Sequence, residues 1–410
     1  MHSYVSLSRN DEKGFSLPEL VVALAMSGFV LAAGVSAIIV SQKGAQATSR
    51  VSNTQAAARS GLDLLTADLK LAGFGTDRLA TPVGNCQLNG TPSAIVPSDN
   101  NIVGLGADTG PDAISMVVPL TDSIGTSGAI WQMANPVPPG FTQVLMPVPA
   151  ITAMQQRGLV LGSVVSLGGA APWIVTGIVA NALNFGVPFD SQVSLGAGTL
   201  VYLLQCITYQ VIPPPDANNL CNGNAPCLVR GVAPGIPLPG NTPDCNVPNP
   251  FFAPTPHPCL DVMDGVEDLQ LAYACDGCDP RPTSNAVGPG VPDGQMDDLD
   301  QSGNFNLVDF ISNRNWFLTA APYGNYMTTD KIHLVWVSIV ARQLAADQGV
   351  GETNMANIAH TSGFLQVSDH NHANGVFAAN DVATVPQQQA YFTLRRRVMT
   401  RTVEVRNQRT

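Results

Sequence analysis

Residues 15–40 read FSLPELVVALAMSGFVLAAGVSAIIV, and this stretch decides the fold. Its 26 residues carry one charge, Glu19. As a helix they would extend about 39 Å, enough to cross a bilayer with some tilt. Pro18 falls in the first helical turn, where its missing N–H matters little and its fixed φ favours the helix. An ionisable side chain near the end of a membrane span is costly unless it is paired or hydrated, so Glu19 needs a partner.

The polar residues Ser8 to Lys13 precede the span and end at Gly14. A secretory signal has the reverse order, with its apolar region ahead of a small-residue cleavage site. Cleavage after Gly14 would remove the polar leader alone, so the mature chain would keep its anchor. The α-amino group freed at Phe15 is a cation. A neighbouring subunit shifted along a filament could offer it to Glu19 and so set assembly register. An ordinary signal anchor with a stray Glu is the alternative.

Outward from the span, no proline occurs between Pro18 and Pro82, and residues 41–72 are rich in Ala, Leu, Gln and Ser, which suits a continuing helix. Leu62, Leu65, Leu69 and Ala72 form one apolar stripe for packing on a sheet, while Arg59, Asp63, Asp68 and Lys70 fall largely elsewhere on the wheel. Gly73 and Gly75 bracket the expected stop. Beyond residue 76, strand-like runs at 113–119, 159–167, 199–211, 268–274, 332–341 and 397–405 alternate with Gly, Pro, Asn and Asp clusters. Long loops are expected at 213–249 and 276–306. The 38 Gly and 32 Pro fit a loop-rich body. Charged residues make up only 12% and the net charge is −11, which leaves no basic surface for a phosphate backbone and excludes nucleic acid as a partner. Eight cysteines, all between Cys86 and Cys278, fit an oxidising compartment.

The run Gly14-Phe15-Ser16-Leu17-Pro18-Glu19-Leu20 resembles the prepilin peptidase recognition motif of type IV pilins and related pseudopilins. That resemblance implies cleavage between Gly14 and Phe15 by prepilin peptidase, N-methylation of Phe15, and a filament-assembly role for Glu19. Three further segments resemble the PilW group of large minor pilins: Thr208-Tyr209 before Leu228-Val229-Arg230, the run from Asp264 to Tyr273, and Arg395-Arg396-Arg397-Val398 running to Arg406-Asn407. The implied fold is α+β and pilin-like: a long N-terminal helix, half transmembrane and half amphipathic, packed on an antiparallel β-sheet with large loop-rich insertions. The implied divisions are a leader at 1–14, a transmembrane and filament-core helix at 15–40, its amphipathic continuation at 41–75, and a β-rich periplasmic or extracellular body at 76–410. The implied role is that of a scarce subunit held in the inner membrane by one span and then carried at or near the tip of a cell-surface pilus. Its partners would be other minor and major pilins and a tip adhesin. A minor pseudopilin of a type II secretion system shares the leader chemistry and stands as the alternative, as does a membrane-anchored enzyme or adhesin that borrowed the leader.

In the body, Asp298, Asp300, Ser302, Asn306 and Asp309 occupy positions 1, 3, 5, 9 and 12 of a calcium-type loop. Gly303 takes the sharp turn at position 6, and Asn304 can give its carbonyl at position 7. The last position is Asp rather than Glu, and no helix is expected before the loop. Residues 261–309 hold 11 acids and one base, Arg281, so a bound calcium ion or a solvated acidic loop is expected there. Cys275-Asp276-Gly277-Cys278 reads as a structural disulfide or a redox motif, with no βαβ pattern around it to favour the latter. Asp369, His370 and His372 could ligate a metal or sit in a polar loop. The last 16 residues hold six of the chain's 19 bases, which suits either a solvated strand edge or docking on an acidic partner. There is no G-x-S-x-G elbow, no H-E-x-x-H and no Gly-Lys step, so no catalytic residue is expected and the role is read as non-enzymatic.

Overall fold

The computed structural model describes residues 16–76, 82–98 without 85 and 89, 111–189 without 125–128, 194–212, 221–233 without 222–224, 259–279, 290–312, 328–344 and 396–405. The chain divides into two compact units, Met1–Ser52 and Asn53–Thr410. Helix α1 runs Leu17–Leu71 and passes Gly28 and Gly34 without a break. Among the described residues it is the one helix long and apolar enough to cross a membrane, and none of its most apolar window is buried.

In the second unit the predicted stripe is buried, Leu62, Leu65, Leu69 and Ala72 being at most 3% exposed, and Ala58 is buried with it. Asp68 was placed off that stripe by its charge, yet it is buried beside it. The helix ends at Leu71, and the Gly73 N–H donates to the Val117 carbonyl at 3.0 Å, tying the exit to the sheet. Gly75 has φ 74°, and a Cβ there would meet Ser166 Oγ at 2.5 Å, so the turn needs glycine twice over.

The strands are β1 (Gln87–Leu88), β2 (Thr91–Pro92), β3 (Ile95–Ser98), β4 (Ala113–Leu120), β5 (Gln143–Leu145), β6 (Val164–Leu167), β7 (Pro172–Val179) and β8 (Ala182–Phe185). They continue with β9 (Val201–Ile212), β10 (Cys227–Ala233), β11 (Cys259–Asp264), β12 (Val266–Cys275), β13 (Ile311–Ser312), β14 (Ile332–Arg342) and β15 (Arg396–Glu404), and a short helix α2 (Val148–Gln156) follows β5. Every described strand pair is antiparallel. The larger sheet is centred on β9, which takes β4 on one edge and β10 and β6 on the other. A smaller, four-stranded sheet has the order β13-β12-β14-β15, and β1 and β2 form a separate two-stranded pair.

One core joins α1 to both sheets. Period-2 alternation supplies it with Ile207, Tyr209 and Val211 from β9, Leu269, Leu271 and Tyr273 from β12, and Val335, Val337 and Ile339 from β14. A second core, around Trp131, Met154, Val175 and Phe185, fills a lobe inserted between β4 and β9. Disulfides join Cys86 to Cys206, Cys221 to Cys227, and Cys275 to Cys278.

The fold is therefore α+β, a long N-terminal apolar helix with antiparallel sheets. Departures from the sequence expectations are local. The run 159–167 becomes a strand only from Val164, because α2 feeds a turn before it. Strand β10 occupies part of the stretch 213–249 expected as loop, where the short run Cys227 to Ala233 is paired on both edges, to β9 and β11.

Candidate functional site

Gly14 and Phe15 lie outside the described residues. Glu19 stands at the third position of α1. Its carboxylate accepts the Ser16 backbone N–H at 3.1 Å and the Ser16 hydroxyl at 3.0 Å. The N–H has no intrahelical acceptor at that end, so Glu19 supplies one.

The acidic loop closes on itself as its spacing predicts. Asp298, Asp300 and Asp309 bring carboxylate oxygens within 4.8 Å of one another, a span that two ligands of one hard cation can bridge. The Asp298 carboxylate accepts from Ser302 N at 3.0 Å and Gly303 N at 2.6 Å, and Gly303 makes the turn at φ 88°. The Ser302 hydroxyl donates to the Asn304 carbonyl at 3.0 Å.

Asn306 plays an unexpected part. Its Oδ1 accepts the Val308 N–H at 2.8 Å and caps a 3-10 turn at Leu307–Asp309. That bond fixes the amide's orientation. Its Nδ2 then faces Asp300 Oδ2, Ser302 Oγ and the Asn304 carbonyl at 3.1–3.3 Å. A neutral N–H donor thus already draws together three oxygens expected at positions 3, 5 and 7. For Asn306 to offer an oxygen inward, the cap must break or a water must intervene, as is common at position 9.

Asp309, 1% exposed, is the frame of the loop. Its carboxylate accepts from Leu299 N at 2.8 Å, Asp300 N at 3.1 Å and Asn306 N at 2.6 Å. A carboxylate has about four acceptor sites, so one remains for a cation. Bonds from the Ser302 N–H and hydroxyl, and then from Asn306, hold the Asp300 carboxyl down at about 2, so this loop is anionic at neutral pH. Phe305 packs at a tilt against Phe310, which meets Trp336 of β14 edge-to-face, each pair with centroids 5.5 Å apart, and this chain of rings seats the loop on the smaller sheet.

Sequence reasoning missed the platform beneath. Asp297 accepts three successive N–H groups, from Gly277, Cys278 and Asp279. Burial nonetheless pushes its carboxyl up, against the pull of those bonds. Asp276 accepts from Asp293 and Gly294, both at 2.8 Å. The adjacent acids Asp297 and Asp298 were the available hint, since one of two neighbouring acids in such a loop has to face inward.

The other candidates resolve differently. Cys275 and Cys278 form a disulfide, so neither is a metal ligand in this state. Asp369, His370 and His372 lie outside the described residues, as do Arg395, Arg406 and Arg409. The basic strand β15 is an edge strand, but two of its arginines are already engaged within the chain. Arg396 grips Glu267 through two nitrogens, with Arg342 at 3.3 Å from the same carboxylate, and Arg401 pairs with Asp63 of α1. A docking role for these arginines would have to break those pairs.

Asp261 and Asp264 lie close together, beside Cys227. Asp261 is exposed, yet partial loss of solvent first, then the Asp264 charge, raises its carboxyl to about 6. A raised acid binds more protons in the folded state, so stability should fall as pH rises from about 4, the unfolded value, to about 6. Thermal melts across that window should show the decline in the parent and a flatter profile in Asp261→Asn; identical profiles would remove Asp261 as the cause.

No family model and no curated protein matches the chain.

Proposed function

We propose that the chain is a minor pilin of the PilW type, processed by prepilin peptidase between Gly14 and Phe15 and built into a type IV pilus at or near its tip. The observation that carries this reading is Glu19, the sole charge of the exposed apolar stretch 17–40, seated in the first turn of α1. Among the described residues its partners are the N–H and hydroxyl of Ser16, and a neutral partner leaves its charge for an incoming subunit's α-amino group. The α+β body, with the amphipathic half of α1 laid on antiparallel strands, supports a pilin-like fold. The body acts through assembly, together with other pilins and a tip adhesin. Calcium is the cation proposed for Asp298, Asp300, Ser302, Asn304, Asn306 and Asp309, because the donor set is all oxygen and hard.

The test is genetic and chemical. Deleting the gene should cut surface pili to a small fraction of parent, and restoring the wild-type copy should return them. The mature protein should begin at a methylated Phe15 by mass spectrometry. Glu19→Ala should be processed normally yet leave pilus numbers near the deletion level. Normal pili in the deletion strain, together with lost secretion of a folded protein, would overturn the pilus assignment.

A further inference from the structure

The turn that ends β12 and the segment that opens the acidic loop are built on one another. Cys275 and Cys278 are disulfide-bonded and at most 2% exposed. The turn they close aims the N–H groups of Gly277, Cys278 and Asp279 at one acceptor, the Asp297 carboxylate, at 3.0, 2.5 and 3.0 Å. Successive N–H groups converge in this way only where the backbone is tightly curled. The Asp297 N–H returns to the Cys275 carbonyl at 3.0 Å. Lys331 Nζ spans the two segments, donating to the Gly277 and Gly290 carbonyls, both at 2.9 Å. The residue after Asp297 is Asp298, where the loop begins.

We propose that the Cys275–Cys278 disulfide is a redox latch: its closure curls residues 275–279 into the shape that Asp297 grips, and its reduction releases residues 290–309. On closing, two thiols give two electrons and two protons to an acceptor disulfide, which departs as two thiols while the Cys275–Cys278 bond forms. On opening, a dithiol returns them and closes its own disulfide. The physical drive lies in Asp297, which is 8% exposed. With the turn uncurled, a buried carboxylate would lose three donors, and the segment has to open for water to replace them. Residues 290–309 thus take their shape only on the oxidising side of the membrane. The latch operates whether or not a cation enters the loop.

The test is hydrogen exchange, read by mass spectrometry, on the full chain in detergent with a chelator present. In Cys275→Ser/Cys278→Ser, the amides of 277–279 and 297–309 should exchange about twentyfold faster, the loop-closure value for so short a ring. Amides of β9 and β14 should keep their protection, and a Cys221→Ser/Cys227→Ser control should leave the loop unchanged. Asp297→Asn, which keeps the disulfide, should loosen the same amides. Should the double variant not accumulate, brief phosphine reduction of the parent, with alkylation at Cys275 and Cys278 marking the reduced fraction, reads the same quantity. Loop protection that survives loss of the disulfide overturns the latch, and so does an equal loss in β9 and β14, which would mark a general staple.

Discussion

Asp68→Ala should lower the unfolding free energy of the body by about 3–5 kcal/mol, the range for removing one partner of a buried ion pair. Asp68 is 8% exposed on the packed face of α1. One of its oxygens accepts the Tyr209 hydroxyl at 2.6 Å and Arg230 Nε at 2.9 Å. Removing the carboxylate takes away the Arg230 guanidinium's counter-charge and leaves a Tyr209 hydroxyl that is fully buried without that acceptor. Burial first, and then the Asp68 charge, push the Tyr209 hydroxyl far above its ordinary range, so it stays a donor and cannot compensate by ionising. Tyr209→Phe removes one bond and should cost about 1 kcal/mol. Denaturant melts of the full chain in detergent would decide this. A loss under about 1 kcal/mol for Asp68→Ala would rank the cluster with ordinary surface pairs.

Asp309→Ala should undo the loop from 298 to 309 and abolish any response to calcium. Three backbone N–H groups lose their acceptor together, at about 1–3 kcal/mol each where they are buried. An exposed loop has little else to offset that. Asp298→Ala should behave otherwise: it removes a proposed cation ligand but leaves the Asp309 frame, so melting in chelator should stay near parent while the calcium effect disappears. In the parent, calcium at a hundredfold excess over its Kd should add about 2.7 kcal/mol. A parent melting temperature unmoved by calcium would remove the cation from the loop. A full calcium response in Asp309→Ala would show that its carboxylate is dispensable.

What the sequence made legible was what local pattern encodes. The helix followed from 26 nearly uncharged residues and the absence of proline, and β4, β9, β12, β14 and β15 followed from period-2 or apolar runs. The hairpin β7–β8 was not legible, because Pro172 and Gly177 interrupt its pattern and its partners are set by the second core. The cyclic spacing of the acidic loop revealed its closure, since each of its bonds spans ten residues or fewer. The roles of Asp68 and Asp297 were invisible for the opposite reason. Asp68 finds its partners 141 and 162 residues away, and Asp297 finds its donors 18–20 residues away on a turn whose shape comes from a disulfide. Asn306 was read as a ligand from its position, and the cap it makes depends on a 3-10 turn that spacing alone does not announce.

The amphipathic half of α1 touches both sheets: its leucines share one core with β4 and β9 and with β12 and β14, while Asp68 reaches β10 and Asp63 reaches β15. The mechanical consequence is that tension entering along this helical segment divides between two sheets at once. The residues that make these contacts, from Ala58 to Ala72, lie on one short segment and belong to one core, so the two sheets are loaded together. Extraction of this segment therefore loads both sheets in a single cooperative rupture.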